Sequence, residues 1–82
     1  MDFFLTNHAK KRMAERSITR GSIKLALQKP DQILYDKDGQ LLVKKIYTRR
    51  NQKRLLIIVA TITASQLKII RVIETSKVKK YS

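Results

Sequence analysis

The sequence predicts an α+β fold in which two N-terminal helices pack on one face of a four-stranded antiparallel sheet. Three observations carry this expectation. Apolar residues recur at helical spacing up to Pro30 and alternate at strand spacing beyond it. The stranded half is broken only by short polar stretches, which favour a meander with the helices laid against it.

Thr6 and Asn7 are both suitable N-caps, because a short side-chain oxygen can accept from the free amides of a first turn. They predict a helix over 8–16, interrupted at Ser17 and Ile18. Thr19 then caps a second helix that runs to about Gln28, with Ile23, Ala26 and Leu27 as its apolar stripe. Pro30 closes it, since the residue before a proline is pushed out of the helical region.

Strands follow over 32–37, 40–49, 54–63 and 67–75. Asp38-Gly39 is a hairpin signal between the first two, and 50–53 reads as a polar loop between the next pair. The third strand is apolar on both faces (Leu55, Ile57, Val59 and Leu56, Ile58, Ala60), so it is expected in the centre of the sheet. In the last strand Leu67, Ile69, Arg71 and Ile73 alternate with Lys68, Ile70, Val72 and Glu74. Residues 1–75 form one domain in this reading. Residues 76–82 are a basic tail with no internal reason for order.

The chain has 82 residues, no cysteine, one histidine, and 19 Lys and Arg against six Asp and Glu, a formal charge of +13. A domain this size buries only about 60–65% of the surface its unfolded chain exposes. Disulfides and thiolate metal sites are excluded, and with one histidine no metal or other cofactor is expected. A charge of +13 repels itself and points to a polyanionic partner, with nucleic acid first. The longest apolar run, 55–60, is far short of the roughly 20 residues that span a bilayer. With no secretory pattern at the N-terminus, the reading is a cytoplasmic protein without a membrane role.

Two clusters carry the candidate chemistry. On a helix His8, Arg12 and Arg16 are each four residues apart and form one ridge beside the seam of Ala9 and Met13. The helix dipole and Arg12 disfavour a second positive charge at His8, which leaves its imidazole to accept a proton from a ribose 2′-hydroxyl. Arg12 and Arg16 can grip a phosphate by forked hydrogen bonds. The second cluster surrounds the predicted 50–53 loop: Lys45, Tyr47, Arg49, Arg50, Lys53 and Arg54, in which cations hold phosphate and Tyr47 stacks on a base. Alternation sets Lys45, Tyr47 and Arg49 on one face, and Lys44, Ile46 and Thr48 on the other. Arg71 interrupts an apolar face and is a further candidate. Tyr81, among Lys77, Lys79 and Lys80, is the late aromatic.

The run His8-Ala-x-x-Arg12-Met13-x-x-Arg16-x-Ile18, followed by Ile23 through Leu27 and Pro30-Asp31, resembles the opening of a bacterial family of small basic proteins of uncharacterised function. Members of that family look similar to the RelE, ParE and BrnT toxin superfamily. The resemblance implies a type II toxin acting as a metal-independent endoribonuclease on RNA, ribosome-bound mRNA included, and neutralised by an acidic antitoxin. It carries over His8, Arg12 and Arg16; the strand residues rest on position alone. Two other expectations stand beside it: a non-catalytic RNA- or DNA-binding module, and a ParE-like toxin that inhibits a topoisomerase.

Overall fold

The computed structural model describes residues 2–64 and 66–81, with the side chain of Tyr81 excepted. It begins with strand β1 (Phe3–Leu5) and helices α1 (Asn7–Arg16) and α2 (Arg20–Gln28). Strands β2 (Gln32–Tyr35), β3 (Leu41–Arg49), β4 (Gln52–Ile62) and β5 (Leu67–Thr75) follow, then the single turn α3 (Val78–Tyr81). The sheet corrects the sequence expectation: it is five-stranded and mixed, in the order β1-β5-β4-β3-β2, not four-stranded and antiparallel. The extra strand, β1, runs parallel to β5, with Phe3, Phe4 and Leu5 opposite Leu67, Lys68 and Ile69. Three residues are too few to show a period, and their partner lies more than sixty residues along the chain, so no local signal marks this strand.

Thr6 joins β1 to α1. Its hydroxyl accepts from the amide of Ala9 (3.2 Å) and donates to the carbonyl of Ile70 (3.2 Å), while its own amide donates to Ile69 (3.1 Å). One residue therefore caps α1 and fastens it to β5; the cap alone is worth about 1 kcal/mol. At the other end Ser17 takes a left-handed conformation (φ 55°), and Ile18 donates to the Met13 carbonyl. This is a Schellman stop, closed by the buried pair Met13 and Ile18. Thr19 caps α2 through its hydroxyl, which accepts from the amide of Ser22 (3.1 Å).

Ala9, Met13, Ile18, Ile23 and Ala26 from the helical half meet Val43, Leu56, Ile58, Ala60, Ile69 and Val72 in one continuous core. Both helices thus cover one face of the sheet. Leu55 and Ile57 point to the opposite face and are also buried, beneath α3, which packs on β4.

Two details of the strands set the position of side chains in the site. Arg50 and Asn51 both have positive φ (52° and 63°) and form a two-residue turn, so Gln52 and Lys53 join β4 where the sequence suggests loop. In β5 a bulge changes the register: Val59 faces Arg71 while Ala60 faces Ile69, which leaves Ile70 as the extra residue. The alternation predicted from sequence is inverted past this point. Leu67 and Ile69 lie under the helices, but Val72 and Glu74 succeed them there, and Arg71 and Ile73 turn to the other face.

Candidate functional site

Glu74 is the centre of the site, although nothing in the sequence pattern singles it out. The bulge swings its side chain under the helices, where it is only 6% exposed. Three groups converge on it. The Tyr47 hydroxyl hydrogen-bonds to the carboxylate, Nη1 of Arg54 lies 3.3 Å from one oxygen, and Nη1 of Arg49 lies 3.7 Å from the other. The register explains the meeting. Tyr47 is opposite Arg54, and Glu74 is opposite Leu56, two residues from Arg54 on the same face.

Arg49 also donates to the carbonyl of Arg16 (3.3 Å), one of the free acceptors at the C-terminal end of α1. A cation there is favoured by the helix dipole. It also ties the β3–β4 hairpin to the helix that carries His8. Tyr47 is pushed up to about 12, first by burial, then by its hydrogen bond to Glu74 and the negative charge there, while Arg49 and Arg54 pull the other way. Its phenol is therefore neutral at any physiological pH. The Nε–H of Arg54 is buried and has no acceptor among the described residues.

Two adjoining grooves meet at Glu74. One, about 340 Å³, runs between α1 and β5 and is lined by His8, Arg12, Arg16, Arg71 and Glu74. The other, about 490 Å³, lies between the end of α1 and the hairpin, with Arg16, Arg49, Arg50, Arg54 and Glu74 among its walls. The free length of β5 beyond β1 explains the first groove, and Arg71, on the far face of the strand, borders it along that free edge. Of the seven arginines in the chain, six line these two grooves; only Arg20, which sits 4.5 Å from the centre of the Phe3 ring, does not. None of the twelve lysines lines either one.

His8, Arg12 and Arg16 stand together along one wall of the first groove, as helical spacing places them. His8 is exposed, and its imidazole makes no hydrogen bond among the described residues. Lys45, Tyr47 and Arg49 share the helix-covered face. Within that group the ammonium of Lys45 turns to Asp31 (4.0 Å) and the Tyr47 hydroxyl turns inward to Glu74. Arg50 is exposed at the turn. Lys53 pairs with Thr48 on the opposite face, away from the grooves. The side chain of Tyr81 lies outside the described residues.

Fold and site together define a small α+β protein with a pair of arginine-lined grooves around one buried carboxylate. The chain belongs to the family described as a domain of unknown function (DUF4258), whose model matches residues 5–74. No curated protein and no solved structure matches it. Among the described residues no helix is long and apolar enough to cross a membrane.

Proposed function

We propose that this chain is a metal-independent endoribonuclease, the toxin of a type II toxin–antitoxin pair. The observation that carries the reading is the sorting of cations: six of seven arginines line the two grooves and no lysine does. Arginine presents a rigid fork that matches phosphate oxygens, whereas lysine offers a hydrated point charge. Such a groove suits a strand of RNA, free or on the ribosome. The resemblance to the RelE, ParE and BrnT superfamily adds the toxin role and an acidic antitoxin as the neutralising partner.

In this reading His8 takes the proton of a ribose 2′-hydroxyl as that oxygen attacks the adjacent phosphorus. The bond from phosphorus to the 5′-oxygen breaks, leaving a 2′,3′-cyclic phosphate, and the departing oxygen takes a proton from solvent. Arg12, Arg16 and Arg71 stand along the same groove as His8 and stabilise the charge that grows on the phosphate oxygens. Arg49, Arg50 and Arg54 hold the flanking phosphates, with Arg49 and Arg54 steadied by Glu74. Tyr47 supports that carboxylate.

Incubation of the purified chain with RNA, alone and with translating ribosomes, tests the reading. The expected result is cleavage with cyclic-phosphate ends, lowered about 10²–10⁴-fold in His8→Ala with the fold retained. RNA left intact in both settings overturns it.

A second reading, a nucleic-acid-binding module without catalysis, is favoured by one observation: nothing among the described residues orients the His8 ring. It expects salt-dependent binding without product, and equal behaviour of the wild type and His8→Ala.

A further inference from the structure

Strand β2 ends the sheet, so among the described residues one of its edges has no neighbouring strand. Edge strands in monomers commonly carry a lysine, a proline or a bulge that discourages pairing. This one reads Gln32-Ile33-Leu34-Tyr35 and has none of these. All four residues are exposed, and Ile33, Leu34 and Tyr35 keep 48%, 40% and 68% of their surface in solvent. Three consecutive apolar side chains along an open edge have no role in the arginine grooves.

Charge decides what can approach that edge. Two copies at +13 repel each other over most of their surface. Around β2 the balance is different. Asp31 is matched by Lys45 at 4.0 Å, and Asp36 and Asp38 stand against Lys37 and Lys44, the latter opposite Gln32, with Lys29 just before the strand. Here a second copy meets a surface of nearly balanced charge, far from the +13 of the whole chain, and a polyanion gains little.

We infer that β2 pairs with β2 of a second copy, antiparallel, about a two-fold axis at Leu34. The backbone selects this register. The amide of Asp36 donates to Gln40 (3.0 Å), so alternation turns the polar groups of Leu34 toward β3 and those of Ile33 and Tyr35 toward the open edge. With Leu34 opposite Leu34, Ile33 falls opposite Tyr35 of the second copy. Both members of each such pair point their N–H and C=O outward, which gives four ladder hydrogen bonds across the axis. The two residues also share a face of their own sheet, so the register keeps the helices of both copies on one side of a ten-stranded sheet. Both pairs of arginine grooves then open on that side, as one polyanion strand would require to engage them together.

Sedimentation equilibrium of the full chain, from about 1 µM to about 1 mM, tests this. The expected result is a monomer–dimer equilibrium that strengthens as salt rises, because screening relieves repulsion between the copies. RNA binding responds to salt in the opposite direction, so the two properties are separable. Ile33→Pro removes an outward amide without touching the bonds to β3, and Leu34→Lys sets like charges face to face at the axis. Both variants are expected to stay monomeric, with an unchanged far-ultraviolet spectrum and, at concentrations where the wild type is itself monomeric, an unchanged melting temperature. If Ile33→Pro unfolds, Leu34→Lys alone decides. A wild type that remains monomeric throughout, or a folded variant that dimerises as well as the wild type, overturns the inference; the first result would leave the edge to a strand from a different protein.

Discussion

The Tyr47 hydroxyl is hydrogen-bonded to the Glu74 carboxylate, which links β3 to β5 over the top of β4. The contact joins a neutral donor to an acid that two guanidiniums already hold, so the carboxylate is satisfied from three sides in a place with little water. A buried carboxylate without such partners would be strongly destabilising. Here it serves as a fixed anchor for Arg49 and Arg54.

The anchor has a signature at high pH. A tyrosine ionises near 10 in an unfolded chain, and Tyr47 does so at about 12 in the fold. Folding favours the protonated phenol. Its contribution is therefore whole below pH 10 and is lost as the pH rises through about 12. Tyr47 is expected to give a last ionisation step near pH 12 in an ultraviolet titration. Tyr47→Phe should remove that last step, and between pH 10 and 12 the wild type should lose denaturant stability relative to the variant. The comparison with Tyr47→Phe matters because lysines discharge over the same range and relieve self-repulsion, an effect of opposite sign. Loss of an early ionisation step in the variant would contradict the buried placement of Tyr47.

Much of the scaffold is written locally in the chain. Thr6 and Thr19 carry their caps in their own hydroxyls, Pro30 closes α2, and the two-sided apolar run of β4 identifies a central strand. The features that no local pattern reveals are those set by distant partners. Phe3, Phe4 and Leu5 become a strand only because β5 offers them an edge. The bulge at Ile70 is a property of how β4 and β5 pair, and a strict period of two places Arg71 with Ile69 and gives no reason to notice Glu74. The ridge of His8, Arg12 and Arg16 is legible because it needs only one helix. The cluster on Glu74 is not, since it takes β3, β4, β5 and the end of α1 together.

The hairpin tip sets stability against binding. Arg50 holds φ at 52° in the left-handed region, which costs a residue other than glycine about 1–2 kcal/mol. Glycine would relieve that strain, less part of its own entropy in the unfolded chain. Arg50→Gly is therefore expected to raise stability by about 0.5–1 kcal/mol in urea unfolding. The same change removes a guanidinium from the groove beside Arg16 and Arg54. Affinity for single-stranded RNA should fall, and the slope of log K against log salt should become shallower by about 0.7. A variant that is more stable and binds as well as the wild type would show that Arg50 does not touch phosphate.

The sorting of arginine from lysine can be tested without changing net charge. Arg12→Lys and Arg16→Lys keep every positive charge of the groove but replace a planar fork by a point charge. If the groove grips phosphate through paired N–H bonds, each variant should bind single-stranded RNA about tenfold more weakly, roughly 1.4 kcal/mol, while the salt slope stays the same. Removing an exposed lysine away from both grooves, as in Lys24→Ala, should change neither quantity appreciably, although it lowers the net charge by one. Fluorescence anisotropy over a salt series measures both. Were affinity to follow total charge alone, with the lysine variants at Arg12 and Arg16 equal to the wild type and Lys24→Ala weaker, the polyanion would be held by a diffuse cationic field and the two grooves would have no privileged part in binding.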